Sequence, residues 1–336
     1  MIEPGRTNLI PKTLLGLCIA LFIMRASAVF YGTYFQKAPA KAITWQQPKP
    51  IDRSRRDLLS KPTLYFFYED HSPLQKVTAE VFESMLFQNR EVARLVKDEF
   101  IPVKVAVNTS NSEPAKSLTN TLGVYQYPSI YITLPNGKSV HHVSWQSDRM
   151  FHAFLNDALI ARAPKAAGAA MENLDWALAC EAYELAFKEH AYSPYSSICD
   201  EIYWSIALRH QNNEAKAKQV LEREWKERRI PEFIRGKEDW PKPCIDYLLG
   251  KITAEDLEKK ATLDPHSYKK ALSQYVIGEN LLLQGKRDEA IKALKLSAEA
   301  SKAYYMHDSK YARAQLRQLG EKVEDEKDES DLRSIY

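Results

Sequence analysis

The sequence predicts a small α/β domain followed by an all-α domain of helical hairpins. Short apolar runs typical of buried strands occur at 61–68, 100–107 and 130–134, and they alternate with segments of helical periodicity. From Ala163 onward the strand signal almost disappears. The 336 residues, 45% of them hydrophobic, suggest about two domains, each with its own core.

The first strand and the helix after it organise the α/β domain. Lys61–Tyr68 is apolar and aromatic, and the turn 69–76 follows it. The next segment has its apolar side chains at helical spacing, which predicts a helix. These residues are Val77, Val81, Met85 and Leu86.

The second half of this domain is predicted as a hairpin and a closing helix. Residues 123–129 lead into the strand 130–134. Asn136 and Gly137 accept positive φ, so 135–138 is a turn that joins this strand to 139–144. A helix over about 148–161, with an apolar face, completes an αβ sandwich over residues 61–162.

This order resembles the thioredoxin-like superfamily, in which the first strand ends in Trp-Cys-Gly-Pro-Cys-Lys and a Gly-Val-x-x-x-Pro-Thr segment supplies a cis proline. The resemblance places His71 at the tryptophan and Ser72 and Gln75 at the cysteines. It places Pro128 at the cis proline, and it implies that peptides bind beside this proline. The implied groove consists of His71, Ser72, Pro73, Gln75, Tyr127, Pro128 and Ser129.

Thiol chemistry is not expected at this site. Thiol–disulfide exchange needs an attacking thiolate and a second thiol that resolves the mixed disulfide. The Ser72 hydroxyl ionises far too weakly to attack, and the Gln75 amide cannot resolve. Phe66 stands where many thioredoxins have a buried acid. We therefore expect a non-enzymatic domain with no cofactor.

The N-terminal segment predicts export from the cytoplasm. Arg6 and Lys12 precede the apolar run 13–24, and Ala26-Ser27-Ala28 has the pattern that signal peptidase cleaves. Residues 1–28 are thus expected to be a cleaved signal peptide, or else a membrane anchor that uses residues 13–35. Residues 29–60 are expected to form a linker, and the folded part to be periplasmic or otherwise extracytoplasmic.

Charge, cysteine spacing and histidine placement argue against several kinds of binding site. A formal net charge of +3 gives no general case for nucleic acid binding. Cys180, Cys199 and Cys244 are widely spaced, which predicts neither a zinc site nor a redox pair. Cys180 and Cys199 could form a disulfide, or all three could be buried thiols. His141 and His142, adjacent in a strand, point to opposite faces and cannot easily bind one metal ion.

Residues 163–320 show the spacing of helical hairpins and resemble tetratricopeptide (TPR) repeats. The clearest hairpin has Gly278 and Ala290 where two helices would cross, and Gly285 in its turn. A second has its turn at Asn212-Asn213, and a weaker one contains Trp176. Residues 321–336 are expected to be a charged, disordered tail.

Stacked repeats present a concave surface on which aromatic side chains favour protein contacts. The alternative is that these rings fill the spaces between helices. The candidates are Tyr192, Tyr195, Tyr203, Trp204, Tyr304 and Tyr305.

These features predict an interaction protein of the cell envelope, a scaffold or assembly factor of a membrane-associated complex. Its partners would be other proteins. Two alternatives remain open: a divergent thiol–disulfide oxidoreductase or isomerase that uses the remaining cysteines, and a holdase chaperone.

Overall fold

The structure is a computed structural model. It describes residues 43–87, 89–107, 113–143, 148–188, 198–227, 240–262, 267–300 and 307–323. An α/β part with a four-stranded sheet is followed by a mostly helical part. The predicted signal or anchor, residues 1–28, lies outside the described residues, and so does most of the predicted tail.

The mixed sheet has the strand order β2-β1-β3-β4. β1 pairs in parallel with β2 and antiparallel with β3, and β3 pairs antiparallel with β4. The sheet is therefore built from one crossover unit and one hairpin. The strands are β1 (Thr63–Glu69), β2 (Ile101–Val107), β3 (Ser129–Thr133) and β4 (Ser139–Val143).

Both faces of the sheet are covered, which explains why β1 is apolar at successive positions. Leu64 and Phe66 point into one core, and Tyr65 and Phe67 point into the other. The helices at 73–87, 90–99 and 148–172 pack on the first face, and the helix at 113–122 packs on the second. The helices of this part are α1 (Pro73–Phe87), α2 (Arg90–Glu99), α3 (Glu113–Leu122) and α4 (Asp148–Glu172).

Residues 43–46, placed in the predicted linker, pack onto the sheet. Gln46 forms a parallel bridge with Val103 and so covers the outer edge of β2. The Trp45 indole donates a hydrogen bond to Glu83 Oε1 at 2.7 Å. Its ring packs against Phe66. The α/β part therefore begins well before Lys61.

Helix α4 is longer than predicted and joins the two parts of the chain. It runs without a break from Asp148 to Glu172, with Pro164 inside it. Its second half buries alanine side chains, and Gly168 lies against the Tyr311 hydroxyl of the last helix. One helix thus contributes to the sheet core and to the helical core.

The described helices of the helical part pack mainly against their neighbours along the chain. The helices are α5 (Trp176–Lys188), α6 (Ile198–His210), α7 (Glu214–Glu227), α8 (Lys242–Leu248), α9 (Ala254–Thr262), α10 (Ser267–Leu283), α11 (Arg287–Ala300) and α12 (His307–Gln318).

Five helix ends in this part share one turn geometry. Each has a residue with positive φ just after the helix, and these residues lie 35 or 38 positions apart along the chain. In each turn the next N–H donates to a carbonyl five residues back, which closes the helix end. The five residues are Leu174, Asn212, Gly250, Gly285 and Gly320.

The close helix crossing predicted at Gly278 is present. A Cβ atom at Gly278 would lie 2.7 Å from Leu294 Cγ and 3.4 Å from the Ala290 carbonyl oxygen. Only hydrogen fits at this position, so α10 and α11 pack with their backbones close together.

Within the described ranges, no helix has both the length and the apolar character needed to cross a membrane. Residues 13–35, the candidate for membrane contact, are outside those ranges.

Candidate functional site

The start of α1 carries the residues that the thioredoxin resemblance singles out. The Ser72 backbone oxygen accepts from Lys76 N at 3.0 Å, and its Oγ accepts from Gln75 N at 3.3 Å. Pro73 is the first helical residue, where the missing N–H costs nothing. Ser72 is therefore the N-cap of α1.

The Gln75 side chain joins the helix to the sheet. Its Oε1 accepts from the Ser72 hydroxyl at 2.9 Å, and its Nε2 donates to Glu69 Oε2 at 2.7 Å. Glu69 is the last residue of β1. The residues that the thioredoxin resemblance aligns with the two cysteines thus form a hydrogen-bonded cap.

The segment before β3 lies at the same edge of the sheet. Phe67 pairs with Ser129, so the end of β1 lies beside the start of β3. The Tyr127–Pro128 peptide bond is cis. Burial raises the pKa of the Tyr127 phenol, and the nearby Glu69 carboxylate adds to the increase. Glu69 thus contacts Gln75 and lies near Tyr127, so the two predicted halves of the groove lie at the same edge of the sheet.

Exposed apolar side chains lie next to the motif residues along the chain, and we call this set the apolar rim. It comprises Leu74, Val77 and Tyr125, which are 75%, 42% and 68% exposed. Leu74 and Val77 are three residues apart and therefore share one side of α1. The sequence-based prediction of the groove left these residues out because it included only the positions of the thioredoxin motif. The apolar Leu74 between Pro73 and Gln75 could have indicated them.

Two of the predicted groove residues differ sharply in exposure. His71 is exposed in the turn before α1. Ser129 is 2% exposed, and among the described residues its Oγ has no hydrogen-bond partner. Ser129 therefore contributes backbone rather than an accessible side chain to the groove.

The three described cysteines are free thiols in poorly solvated positions. Burial raises the pKa of Cys180 to about 11 and raises the pKa values of Cys199 and Cys244 well above the ordinary value. Less than about one thiol in a thousand is ionised at neutral pH under such conditions, so these groups are weak nucleophiles.

Of the residues predicted to contact a partner on the repeat surface, Tyr203 and Trp204 lie within the described residues. Tyr203 is 3% exposed, so its ring fills the space between helices instead of facing a partner. Its hydroxyl donates to Asp308, and its ring packs edge-on against Tyr311. Tyr192, Tyr195, Tyr304 and Tyr305 lie outside the described residues.

Trp204 lines an open cavity of about 260 Å³ between α5, α6 and α7. Phe187 stacks on its ring at 5.0 Å, and Lys216 Nζ lies 5.6 Å from the ring centroid. Lys216 also pairs with Glu184 at 2.8 Å. This cavity has an aromatic wall and a charged mouth, which suits a side chain of a bound protein.

The adjacent histidines of β4 have separate environments. His141 stacks on Phe154 at 4.7 Å, and His142 stacks on Tyr131 at 5.2 Å. Phe154 and Tyr131 belong to the two different cores. The described residues contain no group of three potential ligands that could hold a metal ion.

Comparison of the chain with protein-family models gives no match, and a search of curated proteins gives none.

Proposed function

We propose that the chain is a non-catalytic protein-binding scaffold or assembly factor of a membrane-associated complex outside the cytoplasm. It would bind its partners through a thioredoxin-like domain that lacks redox cysteines and through TPR-like repeats. The observation that carries this proposal is the hydrogen-bonded Ser72–Gln75–Glu69 cap beside the apolar rim.

The sheet supports the thioredoxin-like assignment. A parallel β1–β2 pair followed by the antiparallel strands β3 and β4 is compatible with that fold. The bridge from Gln46 to β2 adds the start of a further parallel strand at the outer edge. The polar cap replaces the dithiol, while the surface around it keeps large apolar side chains exposed.

The helical part supports the repeat assignment. Turns of one geometry recur every 35 or 38 residues, close to the length of a TPR unit. The α10–α11 crossing requires a glycine, as the hairpin pattern predicts. Stacked hairpins provide a second binding surface, and two surfaces on one chain permit bivalent binding.

The rim favours protein binding over solvent exposure. Exposing Leu74 and Tyr125 to water is unfavourable by roughly 25 cal/mol per Å² of apolar area, and a partner that covers them recovers this free energy. Exposed apolar side chains that share a surface, as Leu74 and Val77 do on one side of α1, commonly mark interaction sites. The high cysteine pKa values support a function without thiolate chemistry.

The test is quantitative purification of the tagged chain from gently solubilised membranes. The rim variant combines Leu74→Glu with Tyr125→Glu. The matched control combines Ile160→Glu with Leu296→Glu, which makes the same charge change at apolar side chains outside the rim that are 46% and 40% exposed. We expect one set of partners to copurify in stoichiometric amounts with the unmodified chain and with the control. The amount of these partners should fall at least tenfold with the rim variant, and reductant should not change it.

Each alternative function gives a different result. Partners released by reductant, or lost on replacement of Cys180, Cys199 and Cys244 by serine, would favour the oxidoreductase. A broad set of unfolded clients bound in variable amounts would favour the holdase.

A further inference from the structure

A second open cleft lies between the α4–α5 turn and one side of α12. Its volume is about 300 Å³. Its lining differs from that of the Trp204 cavity because cationic side chains dominate it. The lining residues are Glu172, Asn173, Lys310, Arg313, Ala314 and Arg317.

Three cations of the cleft form one row along α12. Lys310, Arg313 and Arg317 are three and four residues apart, so they share a side of the helix. The row is about 10 Å long, from the rise of 1.5 Å per residue. It therefore matches an extended segment of three or four residues better than a single small anion.

Among the described residues that line the cleft, Glu172 alone is acidic. Its Oε1 accepts a hydrogen bond from Lys138 Nζ at 2.8 Å. Burial lowers the pKa of nearby His307, the charges of Lys138, Lys165 and Lys310 lower it further, and the charge of Glu172 opposes this decrease. Positive charge thus converges on this cleft from the β3–β4 turn, from α4 and from α12.

The central guanidinium is held in position. Arg313 is 7% exposed, and its Nη2 donates to the Ala298 carbonyl oxygen at 3.1 Å. A guanidinium fixed by its own protein loses little entropy when a carboxylate binds it, and its planar geometry suits a carboxylate.

The chain itself carries a segment of opposite charge. Residues 324–331 contain six acidic residues and one lysine. This segment begins seven residues after Arg317, so its start lies within about 25 Å of that residue, the reach of seven extended residues. We propose that the cleft binds this acidic segment of the same chain as an extended peptide.

Two physical consequences follow from this proposal. Binding within one chain is supported by an effective concentration in the millimolar range, so a weak ionic interaction suffices. Because the contacts are between charges near solvent, salt weakens them.

The first experiment is carbodiimide cross-linking of the full chain, read by mass spectrometry. It joins a carboxylate to an amine in direct contact. We expect cross-links from residues 324–331 to Lys310, reduced about fivefold or more by 0.5 M NaCl and by Arg317→Glu. The control Lys292→Glu makes the same charge change at an exposed position of α11 and should leave them unchanged.

The second experiment uses a labelled peptide of residues 324–336 and fluorescence anisotropy. In the neutralised chain, the six acidic residues of 324–331 are changed to Asn or Gln. The peptide should bind this full-length chain. It should bind the unmodified chain at least fivefold more weakly, because the chain's own acidic segment occupies the cleft. Arg317→Glu in the neutralised chain should abolish that binding.

Equal peptide binding to both chains would overturn the proposal, as would cross-links spread evenly over surface lysines. Peptide binding to the neutralised chain without the Lys310 cross-link in the unmodified chain would also overturn it. In that case the cleft takes an acidic segment from another molecule.

Discussion

The Gln75 amide lies 2.7 Å from the Glu69 carboxylate and ties the first turn of α1 to the end of β1. Gln75 simultaneously accepts from the Ser72 hydroxyl that caps the same helix. The two side chains that the thioredoxin resemblance aligns with cysteines therefore contribute to local structure. Leu74 lies between them in the sequence and is exposed.

A dithiol introduced at positions 72 and 75 should form a reversible disulfide. In a double variant, Ser72→Cys with Gln75→Cys, the first thiol would lie at the N-terminus of α1, where the helix dipole lowers a thiol pKa below about 8.5. We expect an intramolecular disulfide on oxidation, detected by thiol titration and peptide mapping. Ser72→Cys alone, as control, should keep a free thiol. Failure of the double variant to oxidise would contradict the thioredoxin-like geometry.

Trp45 should stabilise the α/β part although it lies in a segment that resembles a linker. Trp45→Ala removes a hydrogen bond to Glu83 and ring contacts with Phe66 and Phe87. We expect a loss of about 2 kcal/mol in the free energy of unfolding, less than for a fully buried tryptophan. Denaturant unfolding measures it. Lys49→Ala, at an exposed position, should change stability by less than about 0.5 kcal/mol.

Gly278→Ala should destabilise the helical part, although alanine is the better helix former. The added methyl group would lie 2.7 Å from Leu294 Cγ, and the overlap costs about 1–3 kcal/mol. The double variant with Leu294→Ala should lose less stability than the sum of the losses in the two single variants. A double-mutant cycle based on thermal unfolding measures this difference. Additive losses would show that the two side chains do not meet.

Asp308 should make stability depend on pH. Burial raises its pKa to about 7, so the folded chain keeps this proton between about pH 4 and 7, where the unfolded chain has lost it. The free energy of unfolding should therefore fall as pH rises through this window, by at most about 1.4 kcal/mol per pH unit, with no further loss above it.

Asp308→Asn should flatten this dependence, because an amide also accepts from Tyr203 but does not ionise. Urea unfolding at pH 5 and 8 tests it. The adjacent His307 titrates in part of this window because its pKa is lowered, but it is common to both proteins, so the difference between their pH slopes isolates Asp308. The buried thiols and phenols nearby do not titrate there, because burial raises their pKa values well above the ordinary ones. These are Cys199, Tyr203, Cys244, Tyr275 and Tyr311. An unchanged pH slope in the variant would assign the effect to another carboxylate.

Local sequence rules predicted most elements because each carries a strong signal of its own. The doubly buried β1 reads as a continuous apolar run, and the turns at Asn212 and Gly285 contain residues that accept positive φ. Gly278 marks a crossing because no other residue fits there.

Features that depend on distant parts of the chain were harder to predict. The sequence around Ala163 contains Pro164 and Gly168, which argue for a break. Yet α4 continues, because its alanines are buried in the core and Gly168 lies against the Tyr311 hydroxyl of α12. The burial of Tyr203 depends on groups far along the chain, because its ring packs against Tyr311 and its hydroxyl donates to Asp308, 105 residues away.

The unbroken α4 also has a mechanical meaning. Its 25 residues form a rod about 37 Å long whose first half belongs to the sheet core and whose second half belongs to the helical core. A flexible hinge would let the two parts reorient freely. A shared rod instead fixes the distance between the two parts, so under the proposed function it would hold two bound partners at a set separation.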